Sequence, residues 1–329
     1  MKRPRLKFLL LGSGAAALSA MPWSAWAQAY PSRPISMIVG ATAGGPTDIV
    51  ARIMAEPTRA SLGQPVIIEN ITGAGGTLAA GRVACAAPDG YTLEVGNFNT
   101  HVANGAVYAL QYDIVKDFEP IALLSSSPMW IVTRKGLSAT NLQELIAWLK
   151  ATPDKASAAH VGVGTAAHLC GVYFQQNTGT RFQFVPYRGG APAIQDLVGG
   201  QIDLMCAEAS ASAPYVRSGN IKAHAVMAKA RWSGAPDIPT VDEAGAAGLY
   251  YSFWLGLWAP KGTAKEIIGM VNATVTQAFA DPAVRQRLID LGQEIPQGNQ
   301  QTPEMLRAFQ KAEIEKWWPI IKAAGIKGD

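Results

Sequence analysis

Four glycine-rich turns are the segments of this sequence best suited to hold a small anion. Glycine lets the backbone approach a ligand closely and adopt a positive φ. A helix N-terminus offers unpaired N–H groups and a partial positive charge, so a glycine turn that opens a helix makes an anion site without lysine or arginine. We expect each turn to follow a strand and to open a helix. The turns are residues 40–48, 73–76, 96–101 and 162–168.

Any one of these turns could serve only to reverse the chain, but four in one sequence favour a ligand. Three or four charge-assisted hydrogen bonds contribute about 1.5–3 kcal/mol each. Together they would support micromolar binding, which is a binding free energy of about −8 kcal/mol. Thr42, Asn99 and Thr165 could add polar contacts. His101 follows a polar turn and is a ligand-contact candidate, whereas His168 either contacts a ligand or packs against the next strand.

Other chemistries have little support in the sequence. The spacing of Gly162, Gly164 and Ala167 resembles a dinucleotide fingerprint, but no acidic residue occurs between Asp154 and Asp196 to bind a ribose. There is no phosphate-binding P-loop motif, no G-x-S-x-G, no C-x-x-C and no H-E-x-x-H, and the four histidines are dispersed. The sequence therefore predicts no enzyme, no metal site and no cofactor.

The elements that position these turns alternate between short β-branched strands and longer helices. This alternation predicts an α/β protein with largely parallel sheets. The predicted strands are residues 35–39, 66–70, 91–96, 121–124, 129–133, 182–186, 202–206 and 223–227. The predicted helices are residues 46–62, which Pro57 would disturb, 77–86, 142–151, 166–178, 192–198, 264–280, 282–291 and 303–324.

Residues 1–27 have the composition of a cleavable signal peptide. Four basic residues precede an apolar run, and the small-x-small pattern Ala25-Trp26-Ala27 follows. The mature chain, from about Gln28, would be a periplasmic protein. It contains no apolar stretch of the roughly 18 residues that a membrane span requires. Of the 28 basic residues four lie in this leader, which leaves 24 against 24 acidic residues, and a neutral chain is a poor candidate for binding nucleic acid.

The length of the mature chain, about 300 residues, favours two domains. No linker separates two halves, so the chain would cross between domains on apolar segments near residues 121–133 and 249–260. Cys85, Cys170 and Cys206 are too few and too scattered for a disulfide framework, and free buried thiols are expected.

An ordered series of short motifs covers the mature chain from end to end. It resembles the solute-binding proteins of tripartite tricarboxylate transporters, also called the Bug family. Each motif is weak alone, but their order and spacing are specific. The matching segments include Tyr30-Pro31-Ser32-Arg33-Pro34-Ile35, Gly44-Gly45-Pro46-Thr47-Asp48, Gly73-Ala74-Gly75-Gly76, Ala87-Pro88-Asp89-Gly90-Tyr91, Gly164-Thr165, Val185-Pro186-Tyr187 and Gly199-Gly200-Gln201-Ile202-Asp203.

The resemblance implies a type II periplasmic-binding-protein fold of the Venus flytrap kind, with a ligand cleft between two domains. Domain 1 would comprise residues 28–125 and 251–329, and domain 2 residues 126–250. Family members bind carboxylates and deliver them to a membrane permease with one large and one small subunit. A monomer is the family expectation.

By the same resemblance, the loops carrying Gly44-Gly45 and Gly164-Thr165 would face the ligand from opposite domains. The ligand-binding residues that we predict are Ala41, Thr42, Gly44, Gly45, Asn97, Asn99, His101, Gly164, Thr165, Ala166, Ala167, His168, Tyr187 and Glu208. Three departures from the family pattern bear on the ligand. Ala41 replaces a usual Phe, Ala166 and Ala167 replace two Ser, and Ala207-Glu208 replaces an Asp-Asn-like pair.

These departures predict a roomier and less polar pocket. Our hypothesis is an aromatic carboxylate such as terephthalate or a benzoate relative, with a C4–C6 dicarboxylate as the alternative. Loss of the Asp argues against an amino acid, and Glu208 would repel a second carboxylate if it pointed inward. An extracytoplasmic sensor feeding a two-component system, and a secreted enzyme, are the rival functions.

Overall fold

The computed structural model describes residues 30–328, so the predicted signal peptide lies outside the described residues. The described chain folds into α/β layers. Its strands are β1 (Ile35–Val39), β2 (Val66–Asn70), β3 (Thr92–Asn97), β4 (Phe118–Arg134), β5 (Ser157–His160), β6 (Gln183–Pro186), β7 (Leu204–Glu208), β8 (Ile221–Val226) and β9 (Ser252–Pro260).

Ten α-helices cover the sheet within the same described range, and a π-helical turn at Asn99–Ala103 precedes the third of them. The helices are α1 (Pro46–Leu62), α2 (Thr77–Ala84), α3 (Asn104–Val107), α4 (Leu142–Ala151), α5 (Ala166–Thr178), α6 (Gly190–Val198), α7 (Ala209–Arg217), α8 (Lys265–Ala280), α9 (Pro282–Asp290) and α10 (Pro303–Ala323).

The strands join in one mixed sheet, in the order β2-β1-β3-β9-β4-β7-β5-β6, with β8 also pairing to β4. Strands β1, β2 and β3 run parallel in one half, and β5, β6 and β7 run parallel in the other. All pairs that involve β4 or β9 are antiparallel. The expected largely parallel sheets are therefore corrected to a mixed sheet, because the two strands that join the halves run against their neighbours.

Strand β4 belongs to both halves. Its segment from Phe118 to Pro128 pairs with β9, and its segment from Met129 onward pairs with β7 and β8. The sequence predicted two strands here, interrupted by three serines and Pro128. The structure has one strand of 17 residues, because those residues keep their pairing with β9.

Most other predicted elements agree with the structure within three residues. The bounds of β1, β2, α1, α4 and α5 match residue for residue, and α1 continues through Pro57. No strand was predicted at β5 and no helix at α3, α7 or the π-helical turn, and residues 249–260, which contain β9, were predicted only as an apolar crossing segment. Of the three free cysteines, Cys170 and Cys206 are buried as expected and Cys85 is exposed.

The two halves of the sheet form the two domains of a binding-protein fold. One apolar cluster packs β1, β3 and β9 against α1 and α8, another packs β7 and β8 against α6 and α7, and a third contains residues of both halves. We propose the domain bounds stated above, because β4 changes partners between Pro128 and Met129 and the returning chain enters β9 at Ser252. No helix within residues 30–328 is long and apolar enough to cross a membrane.

A buried hydrogen bond ties α7 to β4 next to this crossing. The indole N–H of Trp130 donates to Ser212 Oγ at 2.7 Å, and both residues are fully buried. We predict that Ser212→Ala lowers the free energy of unfolding by about 1–3 kcal/mol, because the indole N–H loses its partner. Urea unfolding measures this loss, and Ser218→Ala at the exposed end of α7 should stay within about 0.5 kcal/mol of the parent.

The double variant with Trp130→Phe tests whether that hydrogen bond is the cause. If it is, the two losses overlap, with a coupling energy of about 0.5–3 kcal/mol. Fully additive losses would contradict the assignment.

Candidate functional site

A cavity of about 430 Å³ lies between the two domains. The first domain lines it with residues from three turns, at 40–47, 72–76 and 97–99, and with Phe253. The second domain lines it with Met129 and with residues from three segments, at 161–167, 189–190 and 205–211. These segments follow the carboxyl ends of β1, β2, β3, β5, β6 and β7, which is where open α/β sheets bind ligands.

Uncapped helix ends surround this cavity. Helices α1, α2, α5, α6 and α7 all begin at it, and none of their N-cap side chains caps its helix. In α7 the N–H of Ser210 instead donates to Ser127 Oγ. Of the helices that begin elsewhere, α4, α9 and α10 are capped by Asn141, Asp281 and Thr302, whereas α3 and α8 have no side-chain cap. The first N–H groups of α1, α2, α5 and α6 are therefore left at the cavity, where an anion can accept their hydrogen bonds.

The lining is otherwise mostly apolar, with some threonine and asparagine side chains, and it carries almost no charge. Among the described residues Glu208 is the only charged one that lines the cavity, and no lysine or arginine does. Small side chains such as Ala41, Ala166 and Ala167 leave room, and Met129 and Phe253 add large apolar surfaces. No cluster of three or more potential metal ligands occurs within residues 30–328.

Eight of the fourteen predicted site residues line this cavity, from both domains. Asn97 Oδ1 accepts the N–H groups of Asn99 and Thr100 and so fixes the turn after β3. Asn99 Oδ1 is buried without a hydrogen-bond partner in the described chain. The eight residues are Ala41, Thr42, Asn97, Asn99, Thr165, Ala166, Ala167 and Glu208.

Gly44 and Gly45 do not line the cavity, and their N–H groups are already used within the turn. The N–H of Gly44 donates to Asp48 Oδ2, and that of Gly45 donates to the Thr42 carbonyl. Burial alone would raise the pKa of Asp48, but hydrogen bonds from Arg52, Gly44 and Asn70 hold it below its usual range. Asp48 thus shapes this turn, and the neighbouring residues at 40–42 face the cavity instead.

His101 lies in the core and does not reach the cavity. Its side chain is fully buried, its ring stacks on Trp258 at 3.6 Å, and its Nε2 lies 3.1 Å from a carboxylate oxygen of Glu94. This placement corrects the expectation of a ligand contact: the polar turn before His101 faces the cavity, whereas the histidine points into the core.

Gly164, His168 and Tyr187 also lie beside the cavity and not in its lining. The N–H of Gly164 donates to His168 Nδ1, and the His168 ring lines a separate groove against the C-terminal segment at 324–327. Burial, with neighbouring His160, lowers the pKa of His168 to about 4. Tyr187 donates its hydroxyl to Asp196, and burial and this bond raise its pKa to about 12.

Several lining segments were not in the predicted site. The turn at 73–76 stands out in the sequence but was not predicted as part of the site, and the pair Gly189-Gly190, which opens α6, was not predicted at all. The same glycine signal could have found that pair. Met129, Met205 and Phe253 carry no such signal, because they are strand residues whose position in the cleft depends on the crossing of β4 and β9.

Glu208 is one of the residues that line the cavity. It is the last residue of β7 and the N-cap of α7. Its Oε1 accepts hydrogen bonds from Ser210 Oγ at 2.8 Å and from Gln293 Nε2 at 3.2 Å. Burial raises the pKa of Glu208, and these two hydrogen bonds oppose the rise.

The comparisons with known proteins agree with this geometry. A family model described as "Tripartite tricarboxylate transporter family receptor" matches residues 50–326. The periplasmic binding protein BugD is 40% identical with a TM-score of 0.81, covering 91% of this chain and all of BugD. MatC (Rpa3494) from Rhodopseudomonas palustris with bound malate is 39% identical with a TM-score of 0.81, and the match covers 89% of this chain and 100% of MatC. R. palustris Rpa4515 with adipate is 32% identical with a TM-score of 0.82, and the match covers 90% of this chain and 99% of Rpa4515.

The two domains touch at Gly164. A substitution that disturbs this contact therefore tests whether the cavity closes between them. Gly164 has a φ of +75°, and a Cβ there would lie 2.9 Å from both methyl groups of Val107 in the other domain. We predict that Gly164→Ala keeps the domains further apart, which small-angle X-ray scattering would detect as a larger radius of gyration.

Gly219→Ala is the matched control. Gly219 has a φ of +68°, but no atom lies within 4 Å of a Cβ there, so the variant has similar backbone strain without the clash. Adding Val107→Ala to Gly164→Ala should restore the compact form. An unchanged radius of gyration in Gly164→Ala would contradict the proposed contact.

Proposed function

The chain belongs to the tripartite tricarboxylate transporter receptor family, and from that premise we propose that it captures an aromatic carboxylate or a C4–C6 dicarboxylate. It is a receptor that binds a carboxylate and has the fold of solute-binding proteins such as BugD. The cavity between its domains is the proposed binding site.

The ring of uncapped helix ends carries this proposal. One ligand carboxylate would accept hydrogen bonds from the free N–H groups at the start of α5 and α6 and from the turns of the first domain. Helix ends and N–H groups offer partial positive charge without a mobile cationic side chain. These donors therefore suit an anionic ligand better than a sugar or a cation.

The apolar lining supports an aromatic or medium-length acid. Ala41, Ala166 and Ala167 leave the cavity open where larger or polar side chains would fill it, and Phe253 and Met129 supply flat or flexible apolar surface. Malate in MatC and adipate in Rpa4515 support a C4–C6 dicarboxylate as the second class.

The proposed role also includes delivery of the ligand to a membrane permease. The protein would work in the periplasm after removal of residues 1–27, as a monomer, and pass its ligand to a permease of one large and one small subunit. A ligand that contacts both domains binds the closed form better, so its differential affinity would drive closure. The permease would recognise that closed form.

A thermal-shift screen tests the function. The protein should be unfolded and refolded to remove any bound ligand, then mixed with aromatic acids, aliphatic di- and tricarboxylates, amino acids and sugars. A carboxylate at about 100 times its Kd should add about 2.7 kcal/mol to the free energy of unfolding, a shift of a few degrees in Tm.

The outcomes separate the levels of the proposal. A shift with aromatic acids supports the full proposal. A shift with aliphatic acids alone would keep the receptor and reject the aromatic class, and a shift with sugars or cationic ligands but no carboxylate would contradict the function itself.

A further inference from the structure

Glu208 gives the binding cavity an acidic end. It stands at the carboxyl end of β7, where the strand pairs with Met129 of β4. Strand β5, which leads to α5, is the next strand, and β6, which leads to α6, is the one after it. Because neighbouring strands lie about 4.8 Å apart, a carboxylate docked at the start of α5 or α6 would lie about 5–10 Å from the end of β7.

Hydrogen bonds hold the carboxyl group of Glu208 through only one of its two oxygens. Oε1 takes the hydrogen bonds from Ser210 and Gln293, and no donor within residues 30–328 bonds to Oε2. The Gln293 side chain is itself fixed, because its Oε1 accepts a hydrogen bond from the buried Ser125 hydroxyl at 2.8 Å. The position of the carboxyl group is therefore set, and Oε2 has no hydrogen-bond donor among the described residues.

The surroundings supply no cation. Cys206 and Met129 line the cavity with Glu208, Ser210 of α7 donates to the Glu208 carboxylate, and Ser127 of β4 accepts the Ser210 N–H. The segment after α9 presents Gln293 and then Glu294, an acid that accepts a hydrogen bond from Ser126. Among the described residues no lysine or arginine forms an ion pair with Glu208. Burial raises the pKa of Glu208 and likewise that of Glu294.

We propose that Glu208 determines specificity at this end of the cavity, by requiring that the ligand bring a hydrogen-bond donor there. This inference rests on the proposed function, since a first carboxylate has to occupy the helix ends. An acid with a hydroxyl at its far end donates that hydroxyl to Oε2. A dianion of the same length places a second carboxylate against Glu208, and it binds only when one of the two carries a proton.

Two pairs of acids of matched length test the proposal. They are 4-hydroxybenzoate with terephthalate, and 6-hydroxyhexanoate with adipate. Isothermal titration calorimetry at pH 8 should give the refolded wild-type protein at least about a tenfold preference for the hydroxy acid of the pair that fits, a difference of about 1.4 kcal/mol. In Glu208→Gln this preference should disappear or reverse. Glu294→Gln removes a neighbouring acid that does not line the cavity, and it should leave the preference unchanged.

The pH dependence of the wild-type protein gives a second measurement that needs no variant. As the pH falls from 8 to 5, a proton becomes available for Glu208 and the second carboxylate of the ligand to share. The affinity for the dicarboxylate should therefore rise relative to that for the hydroxy acid. In Glu208→Gln the ratio of these two affinities should change less with pH. A folded Glu208→Gln protein with an unchanged ratio at pH 8, or a wild-type preference for the dianion at pH 8, would overturn the proposal and leave the receptor function standing. Failure of all four acids and of the wider carboxylate panel would overturn both.

Discussion

The shortage of side-chain caps at the cavity is the constraint on which the site depends. The first N–H groups of a helix need an acceptor, and a side chain supplies one to α4, α9 and α10 but not to α1, α2, α5 and α6, which begin at the cavity. The glycine N-caps of α1, α2 and α6 have no side chain that could cap, and they keep the space clear. The same small residues thus do two things: they leave the backbone N–H groups without a cap, and they leave space for a ligand beside them.

Asp48 shows why this arrangement needs support outside the cavity. A glycine turn with unpaired donors would adopt many conformations, but Asp48 holds Gly44, Arg52 and Asn70 at once. Asn97 does the same for the turn after β3. One side chain in each turn therefore fixes the backbone, and the remaining N–H groups stay oriented for a ligand.

The sequence predicted the helices and strands that carry strong local signals. The bounds of α1 and α5 follow from glycine and threonine at their ends, and the β-branched strands β1 and β2 were also predicted correctly. It missed β5, whose residues Ser157–His160 include no β-branched side chain, and α7, which contains Pro214. It divided β4, because the serines at 125–127 resemble a turn, although Ser125 and Ser127 are fully buried and bonded within the fold.

The sequence predicted which segments would line the cavity better than it predicted which of their atoms face it. Glycine spacing indicates which turns open helices, but it does not tell which N–H groups are already bonded, as those of Gly44 and Gly45 are. Nor does a sequence tell that His101 points away from the polar turn that precedes it into a stack with Trp258. These outcomes depend on contacts between residues far apart in the chain.

The shared strand β4 also limits how the two domains can move. It pairs with β9 from Phe118 to Pro128, and the register shifts between Pro120 and Ala122 and again between Leu123 and Ser125. Such irregularities bend a paired strand and increase its twist. We expect a rotation of one domain against the other to be taken up at these two points, so their positions in the ribbon would set the axis of that rotation.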